Sequence, residues 1–426
     1  MLDLTFIREE PELVKKALIR RYMDSSVIDD VLTLDEQRRA LLTEVETLKA
    51  ERNRVSKEIG AQKDQEKRAE KITAMKKVAD RISVLDEDVR QVETTLNTLM
   101  AGIPNIPEND VPNGKDDSEN VVVRVCGEKP AFDFTPLPHW ELGEKLGIID
   151  FERGAKISGS RFYILNGAGA RLQRALISFM IDLHNQQGYE ERYTPFVVRE
   201  ATLYASGQLP KFADNLYHDV EDDFWMLPTS EVALTGLHMD EVLIESELPL
   251  RYTAYSACFR REKMSAGRDV RGIKRGHQFD KVEMYSFTHP DESGRELEKM
   301  ISDAAETCER LGLPYRVLQL CTGDLSFGAQ KAFDIEVWSA GCQEWLEVSS
   351  ISNVGDFQAR RANIKYTPAD GGKRQFVHTL NGSGLGMPRV LIAVLENNQQ
   401  ADGAVVIPEV LKPWMGGIEV IEPRDS

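Results

Sequence analysis

Two runs of apolar heptads, separated by a short polar break, constrain this chain more than any other feature. The first run is Val31, Leu34, Leu41, Val45, Leu48, Val55 and Ile59, spaced alternately by three and four once Arg38 and Arg52 are counted in the seam. Gly60 interrupts it. The polar, charged stretch from Ala61 to Lys71 must hold the reversal. The second run resumes at Met75 and continues through Val78, Ile82, Leu85, Val89, Val92, Leu96 and Leu99. Two consecutive segments with a 3.5-residue repeat predict an antiparallel helical hairpin over about residues 28–100. Each arm of about 30 residues would be ~45 Å long. That is too long for a compact domain, so the hairpin should project. A short helical lead-in precedes it, with Pro11 early in the turn that opens Glu12–Arg21.

Charge along the hairpin is uneven. Between Lys49 and Lys77 ten basic residues stand against five acidic ones, on a chain whose net charge is −17. An acidic total argues against a general nucleic-acid coat or a membrane-surface binder, but leaves room for a local basic patch. Taken alone, the excess reads as a solvated coiled-coil face. The functional alternative is an arm that neutralises backbone phosphates and releases counterions.

Beyond the hairpin, residues 101–114 hold three prolines and two glycines, the mark of a rigid, extended linker. The expected division is therefore 1–103 for the N-terminal domain, 104–118 for the linker and 119–426 for a larger domain. In the last, strands (Val121–Val125, Phe333–Trp338, Glu344–Val348) mix with helices such as Arg171–His184 without a β-α-β rhythm. That points to an α+β fold, an antiparallel sheet with flanking helices. The apolar runs are too short to span a membrane, and the N-terminus is neither a secretory nor a transit peptide. Five scattered cysteines (Cys126, Cys258, Cys308, Cys321, Cys342) show no ligand spacing. The expectation is reduced thiols, no structural zinc and a cytoplasmic location.

Three constellations carry chemistry. Gly188-Tyr-Glu-Glu-Arg-Tyr-Thr-Pro195 is a helix end followed by a proline-bearing strand, suited to a sheet edge or an interface. Phe259-Arg-Arg-Glu262 precedes a charged, glycine-rich loop holding Gly267, Arg268, Arg271, Gly272, Lys274, Arg275 and Gly276, then His277-Gln-Phe-Asp-Lys-Val-Glu283. On a strand, Arg260 and Glu262 would share a face, the arginine forking onto a phosphate and the glutamate accepting from an amino group. Gly382-Ser-Gly-Leu-Gly-Met-Pro-Arg389 opens an apolar helix. Its glycines would let a nucleotide lie on backbone, and the helix would offer its N-terminus to negative charge.

In this order and at these distances, the three blocks resemble motifs 1, 2 and 3 of class II aminoacyl-tRNA synthetases. Within that class the chain is similar to seryl-tRNA synthetases over essentially its whole length. Supporting stretches are Leu48-Lys-Ala-Glu-Arg-Asn53, Ile103-Pro-Asn-Ile-Pro107, Leu227-Pro-Thr-Ser-Glu231, Ser265-Ala-Gly-Arg-Asp269, Phe357-Gln-Ala-Arg-Arg361 and Leu380-Asn-Gly-Ser383. The resemblance implies a class II antiparallel core, a homodimer formed through the motif 1 region, and a hairpin that grips tRNA-Ser with Lys49, Arg52, Arg54, Lys57, Lys63, Lys67 and Arg68. It implies that Thr229, Ser230 and Glu231 lie at the serine α-amino group. Glu283 and Ser383 would meet the hydroxyl. Arg260 would bind both the serine carboxylate and the α-phosphate, with Arg261 in the same ATP-binding block. Glu262 would read the adenine, and backbone near Gly276 would close on it. Glu347 and Ser350 would hold Mg2+ with ATP, Val348 and Ser349 would complete that strand, and Arg389 would contact the far end of the triphosphate.

The residue types suit the implied reaction. Serine carboxylate and ATP are both anions, so catalysis means bringing them together and neutralising charge, which Arg260, Arg389 and magnesium do without a general base. A buried carboxylate at Glu283 would reject alanine and glycine, since a site built for a substrate hydroxyl can refuse the analogue lacking it by ~10⁴-fold. Local departures from the family pattern are Arg261, Lys263 and Met264 after the motif 2 arginine, Ala233 and Gly236 after Thr229-x-Glu231, and Val354. Two rivals stand beside this reading. A class II paralogue that loads a carrier protein would lack the arm. A non-catalytic homologue would have eroded motif residues, whereas Arg260, Glu262, Glu283, Glu347 and Arg389 are all present.

Overall fold

The computed structural model describes residues 1–263 and 271–424. Met264, Gly267, Arg268 and the stretch Ser265-Ala-Gly-Arg-Asp269 lie outside the described residues. The chain forms two compact units, Leu2–Pro104 and Met1 with Asn105–Ser426.

In the first unit, α1 (Leu4–Glu9) and α2 (Pro11–Arg20) lead into α3 (Val27–Ala61) and α4 (Gln65–Ala101). The two long helices form the expected hairpin. Seam residues Val31, Val45, Val55, Ile82, Leu85, Val89 and Leu96 are buried where the heptads meet. Gly60 is still helical, so the apolar pattern stops just before the helix does. The reversal is Gln62–Asp64, and the Asp64 carboxylate accepts from the N–H groups of Glu66 and Lys67, capping α4. Buried Asp35 on α3 receives Arg8 from α1 at 3.4 Å and Arg39 at 2.9 Å.

The second unit is built on one eight-stranded sheet. In chain order its strands are β1 (Val121–Cys126), β2 (Glu190–Glu191), β3 (Leu250–Phe259), β4 (Gln278–Thr288), β5 (Tyr315–Gln319), β6 (Lys331–Ser339), β7 (Glu344–Gly355) and β8 (His378–Gly386). Their order in space is β1-β5-β6-β7-β8-β4-β3-β2, and every pair is antiparallel except the short β2–β3 edge. Helices α5 (Ala168–Gln186), α7 (Ser293–Arg310) and α9 (Met387–Asn397) bury Leu176, Met180, Met300, Leu391 and Leu395 in one apolar core with Val282, Ile335 and Leu385 of the sheet. Two shorter helices, α6 (Ser230–Gly236) and α8 (Phe357–Ala362), close a second cluster through Leu234 and Ala359. Segment 105–118 is bonded to this unit from its first residue. Asn105 Nδ2 donates to the carbonyls of Gly328 at 2.9 Å and Val354 at 2.7 Å. Among the described residues no helix is long and apolar enough to cross a membrane.

Candidate active site

Two bulges shape the open face of the sheet. The β4–β8 register pairs Val282 with Leu385 but Glu283 with Ser383, so Gly384 is the extra residue. The β6–β7 register pairs Glu336 with Glu347 but Ile335 with Ser349, so Val348 is extra. An extra residue bends its strand and re-aims the side chains beyond it. Glu347 and Ser350 are three apart and would face opposite ways on a regular strand. With the bulge between them, both line one cavity.

That cavity measures about 590 Å³ and its wall includes Thr229, Glu231, Arg260, Glu262, Gly276, Glu347, Val348, Ser350, Ser383 and Arg389. The structure therefore brings most of the expected residues together. Four others stand off the wall. Ser230 hydrogen-bonds Ser256 at 2.5 Å, and Ser349 donates to the Ser383 carbonyl at 2.6 Å. Arg261 donates to the Leu216 carbonyl at 2.7 Å and covers the Tyr217 ring. Glu283 is fully buried, among Thr229, Lys281 and Ser383.

The electrostatics divide the cavity in two. Behind the wall at one end, the Glu283 carboxylate accepts from the Thr229 hydroxyl at 3.0 Å and is paired with Lys281 through Oε2. Its other oxygen, Oε1, is buried with no partner among the described residues. An orphaned buried acceptor costs about 1–3 kcal/mol, and a donor that reached Oε1 would offset that cost. Burial, and then the nearby Glu283 charge, push Glu231 up to about 7, against the opposing pull of Lys281, Gln358 and Arg260. A carboxyl poised there ionises fully once a cation sits beside it. Arg260 Nε is tied to the Pro228 carbonyl at 3.2 Å, and its guanidinium lies over the Phe279 ring. At the other end, Arg389 donates to the Glu347 carbonyl at 2.7 Å and lies 3.2 Å from its carboxylate. The protein crowded around the half-exposed Glu347 works against its charge, but Arg389, Arg260 and Arg275 outweigh it and hold the carboxyl below the ordinary range.

Two sequence arguments need correction. Arg260 and Glu262 are not on a strand, because β3 ends at Phe259. Glu262 has a left-handed backbone (φ 50°), and this turn, not strand alternation, sets where both side chains go. The glycine run is also not a nucleotide cradle in full. An added Cβ at Gly382 would meet Ile351, and one at Gly384 would overlap the His184 ring, so these glycines serve packing. Of the three, only Gly386 lines the cavity. Gly276 is needed for close approach, since its Cβ would come 2.9 Å from the Gln278 carbonyl.

Sequence reasoning missed several wall residues. Phe279 and Lys281 share the face of Glu283 by simple alternation, and Asn381 stands two before Ser383, so strand periodicity could have found them. Gln358 carries no such local signal. His277 of the same segment hydrogen-bonds the Arg260 carbonyl through Nδ1 at 3.0 Å.

His139, Cys342 and Glu396 form a separate buried cluster with metal-ligand chemistry. Its hydrogen bonds argue against ligation. His139 Nε2 accepts from the Ile273 N–H at 3.1 Å, so Nδ1 carries the proton and donates to Glu396 at 2.9 Å. Burial and Glu396 push the Cys342 thiol up to about 12, far from thiolate.

On the hairpin, Lys49 pairs with Asp86 at 3.0 Å, Arg54 with Glu58 at 2.8 Å and Lys67 with Asp64 at 3.9 Å. Arg52, Lys57, Lys63 and Arg68 make no ion pair among the described residues, and the last three are exposed.

Comparisons with known proteins agree with this layout. A family model described as tRNA synthetase class II core domain (G, H, P, S and T) matches residues 212–398, and one described as Seryl-tRNA synthetase N-terminal domain matches residues 1–107. The chain is 63% identical over 421 residues to a serine–tRNA ligase of Roseiflexus sp. (strain RS-1), covering 99% of each. It is 60% identical over 423 residues to one from Chloroflexus aurantiacus, covering 99% of this chain and 100% of the other. It is similar in structure to the seryl-tRNA synthetase of Pyrococcus horikoshii complexed with ATP, at a TM-score of 0.93 and 38% identity over the whole of both chains.

Proposed function

This chain belongs to the seryl-tRNA synthetase family, and from that premise we propose how its own residues divide the work. It activates L-serine with ATP to seryl-adenylate and transfers the seryl group to tRNA-Ser. In the first step the serine carboxylate attacks the α-phosphorus, and the bond to pyrophosphate breaks. In the second, a terminal ribose hydroxyl of the tRNA attacks the adenylate carbonyl and AMP leaves.

Thr229 and Glu231 receive the α-ammonium group, with Ser230 holding the turn behind them. Arg260 brings the serine carboxylate and the α-phosphate together, because it lines the cavity with its Nε fixed by the Pro228 carbonyl and its Nη groups left to bind. Its charge offsets the repulsion between the two anions. Glu262 and backbone at Gly276 hold the adenine, with Arg261 bracing the turn. Arg389 meets the far phosphates. The donor set at Glu347 and Ser350, a carboxylate and a hydroxyl that line the same cavity on either side of the bulge, fits a hard divalent cation. These two residues would hold Mg2+ with ATP, and that ion would neutralise phosphate charge.

The observation that carries the assignment of serine is Glu283 Oε1, a buried acceptor beside Thr229 and Ser383 without a donor among the described residues. The serine hydroxyl supplies that donor, whereas alanine and glycine leave it unmet. Pyrophosphate exchange run with serine, threonine, alanine and glycine tests the reading. Exchange should depend on serine, and equal exchange with alanine would overturn it.

The remaining assignments follow from charge and exposure. The exposed lysines and arginines of the hairpin grip tRNA backbone. A match to the N-terminal family over residues 1–107 favours this over loading of a carrier protein. The protein works as a homodimer through the motif 1 segment, where Tyr193 stands 85% exposed, an aromatic ring that an interface would cover. Five free cysteines suit a reducing cytoplasm.

A further inference from the structure

Gln358 sits on the cavity wall, yet its carboxamide has no hydrogen-bonding capacity left for a ligand. A glutamine amide has two N–H donors and an oxygen with two lone pairs. Here Nε2 donates to the Ser206 carbonyl at 3.0 Å and to Glu231 Oε1 at 2.7 Å. Oε1 accepts from the Tyr285 hydroxyl at 2.8 Å and from Thr379 at 2.7 Å. The Ser206 carbonyl can only accept, which fixes the nitrogen on the Glu231 side. Four partners from four segments thus clamp one side chain that is almost wholly buried.

We propose that Gln358 is a positioning residue for the substrate amino group, acting through Glu231, whose carboxylate it aims into the cavity and holds in place. The proposal rests on the reading that Glu231 receives the α-ammonium. Among the described residues, Asn381 is the only other neutral donor on that carboxylate, at a longer 3.3 Å to Oε2. Gln358 therefore dominates its orientation. The charged groups around Glu231 are Glu283 and Lys281 on β4 and Arg260 after β3. A donor on Oε1 also favours the ionised form that an ammonium group needs.

The test is a double-mutant cycle in serine-dependent pyrophosphate exchange, with Gln358→Met, Glu231→Gln and the double variant, each checked by thermal unfolding. Gln358→Asn, which keeps the carboxamide but withdraws it by one methylene, serves as a second probe should the methionine variant fold poorly. Losing a hydrogen bond to a charged group should raise the KM for serine by about 10-fold to 100-fold. The KM for ATP should stay within about twofold, and Gln358→Met should add almost nothing in the Glu231→Gln background. A purely structural glutamine would give additive effects, or would move the ATP and serine constants together, and either result overturns the proposal. If Glu231→Gln alone leaves the serine KM unchanged, the amino-group reading fails and this proposal fails with it. A large effect of Glu231→Gln without coupling overturns the role of Gln358 alone.

Discussion

Replacing Glu283 by glutamine removes a charge while keeping the shape of the side chain. In the native site the carboxylate holds Thr229 and Lys281 on Oε2 and keeps Oε1 free. A hydrogen bond from the serine hydroxyl to a charged oxygen contributes about 1.5–3 kcal/mol. At about 1.4 kcal/mol per tenfold, that predicts a loss of roughly 10-fold to 150-fold in kcat/KM for serine. Alanine makes no such bond, so its own kcat/KM should change little and the serine-to-alanine ratio should shrink by a similar factor. The variant also leaves the Lys281 ammonium buried without its counter-charge. Breaking a buried pair on one side costs about 3–5 kcal/mol, so the unfolding midpoint should fall as well. Pyrophosphate exchange with both amino acids, beside a denaturant melt, separates the two effects. A folded variant that still prefers serine to alanine by the native ratio would refute the role given to Glu283.

Other expectations are more local. Because Glu231 is pushed up to about 7 and must be ionised to meet an ammonium group, kcat/KM for serine should rise with pH through about 7 and level off above it; a flat profile from pH 6 to 8 would contradict this. Changing Lys63 and Arg68 to glutamate should weaken tRNA-Ser binding and lower the slope of log K against log salt by about 2, with tRNA-free pyrophosphate exchange unchanged; an unaltered salt slope would remove them from the interface. Gly384→Ala drives a Cβ into the His184 ring and should cost about 1–3 kcal/mol in a denaturant melt, whereas an unchanged melt would show that the bulge tolerates a side chain.

The hairpin was legible as an element, because a heptad seam is a local pattern and several of its stations are buried as the spacing requires, although buried Asp35 lies off the seam. The Val45 and Leu85 stations needed no tertiary information. The catalytic sheet was legible only as a class of fold. The bulges at Gly384 and Val348 leave no mark in composition, yet the one at Val348 decides that Glu347 and Ser350 line the same cavity. Arg260 and Glu262 were recognised as a pair for a geometric reason that does not hold. The chain leaves the strand at Phe259, and a left-handed turn at Glu262 does the aiming. The glycine block misled in the opposite sense. Gly382 and Gly384 are small because Ile351 and His184 crowd them from within the protein. Lys281 was within reach of strand alternation, since it sits two before Glu283. Gln358 was not, because its partners come from α6, β4, β8 and the end of a distant helix, and no sequence window contains them.

The central claim is that the basic hairpin and the serine-selective core serve one reaction, the charging of tRNA-Ser. The most direct measurement is aminoacylation of a tRNA-Ser transcript with radiolabelled serine by the full chain, beside a version whose hairpin tip carries Lys63→Glu and Arg68→Glu. The account predicts stoichiometric seryl-tRNA with the native chain, and a raised KM for tRNA with unchanged serine activation in the variant. Serine-dependent exchange without charging of any tRNA-Ser would contradict it.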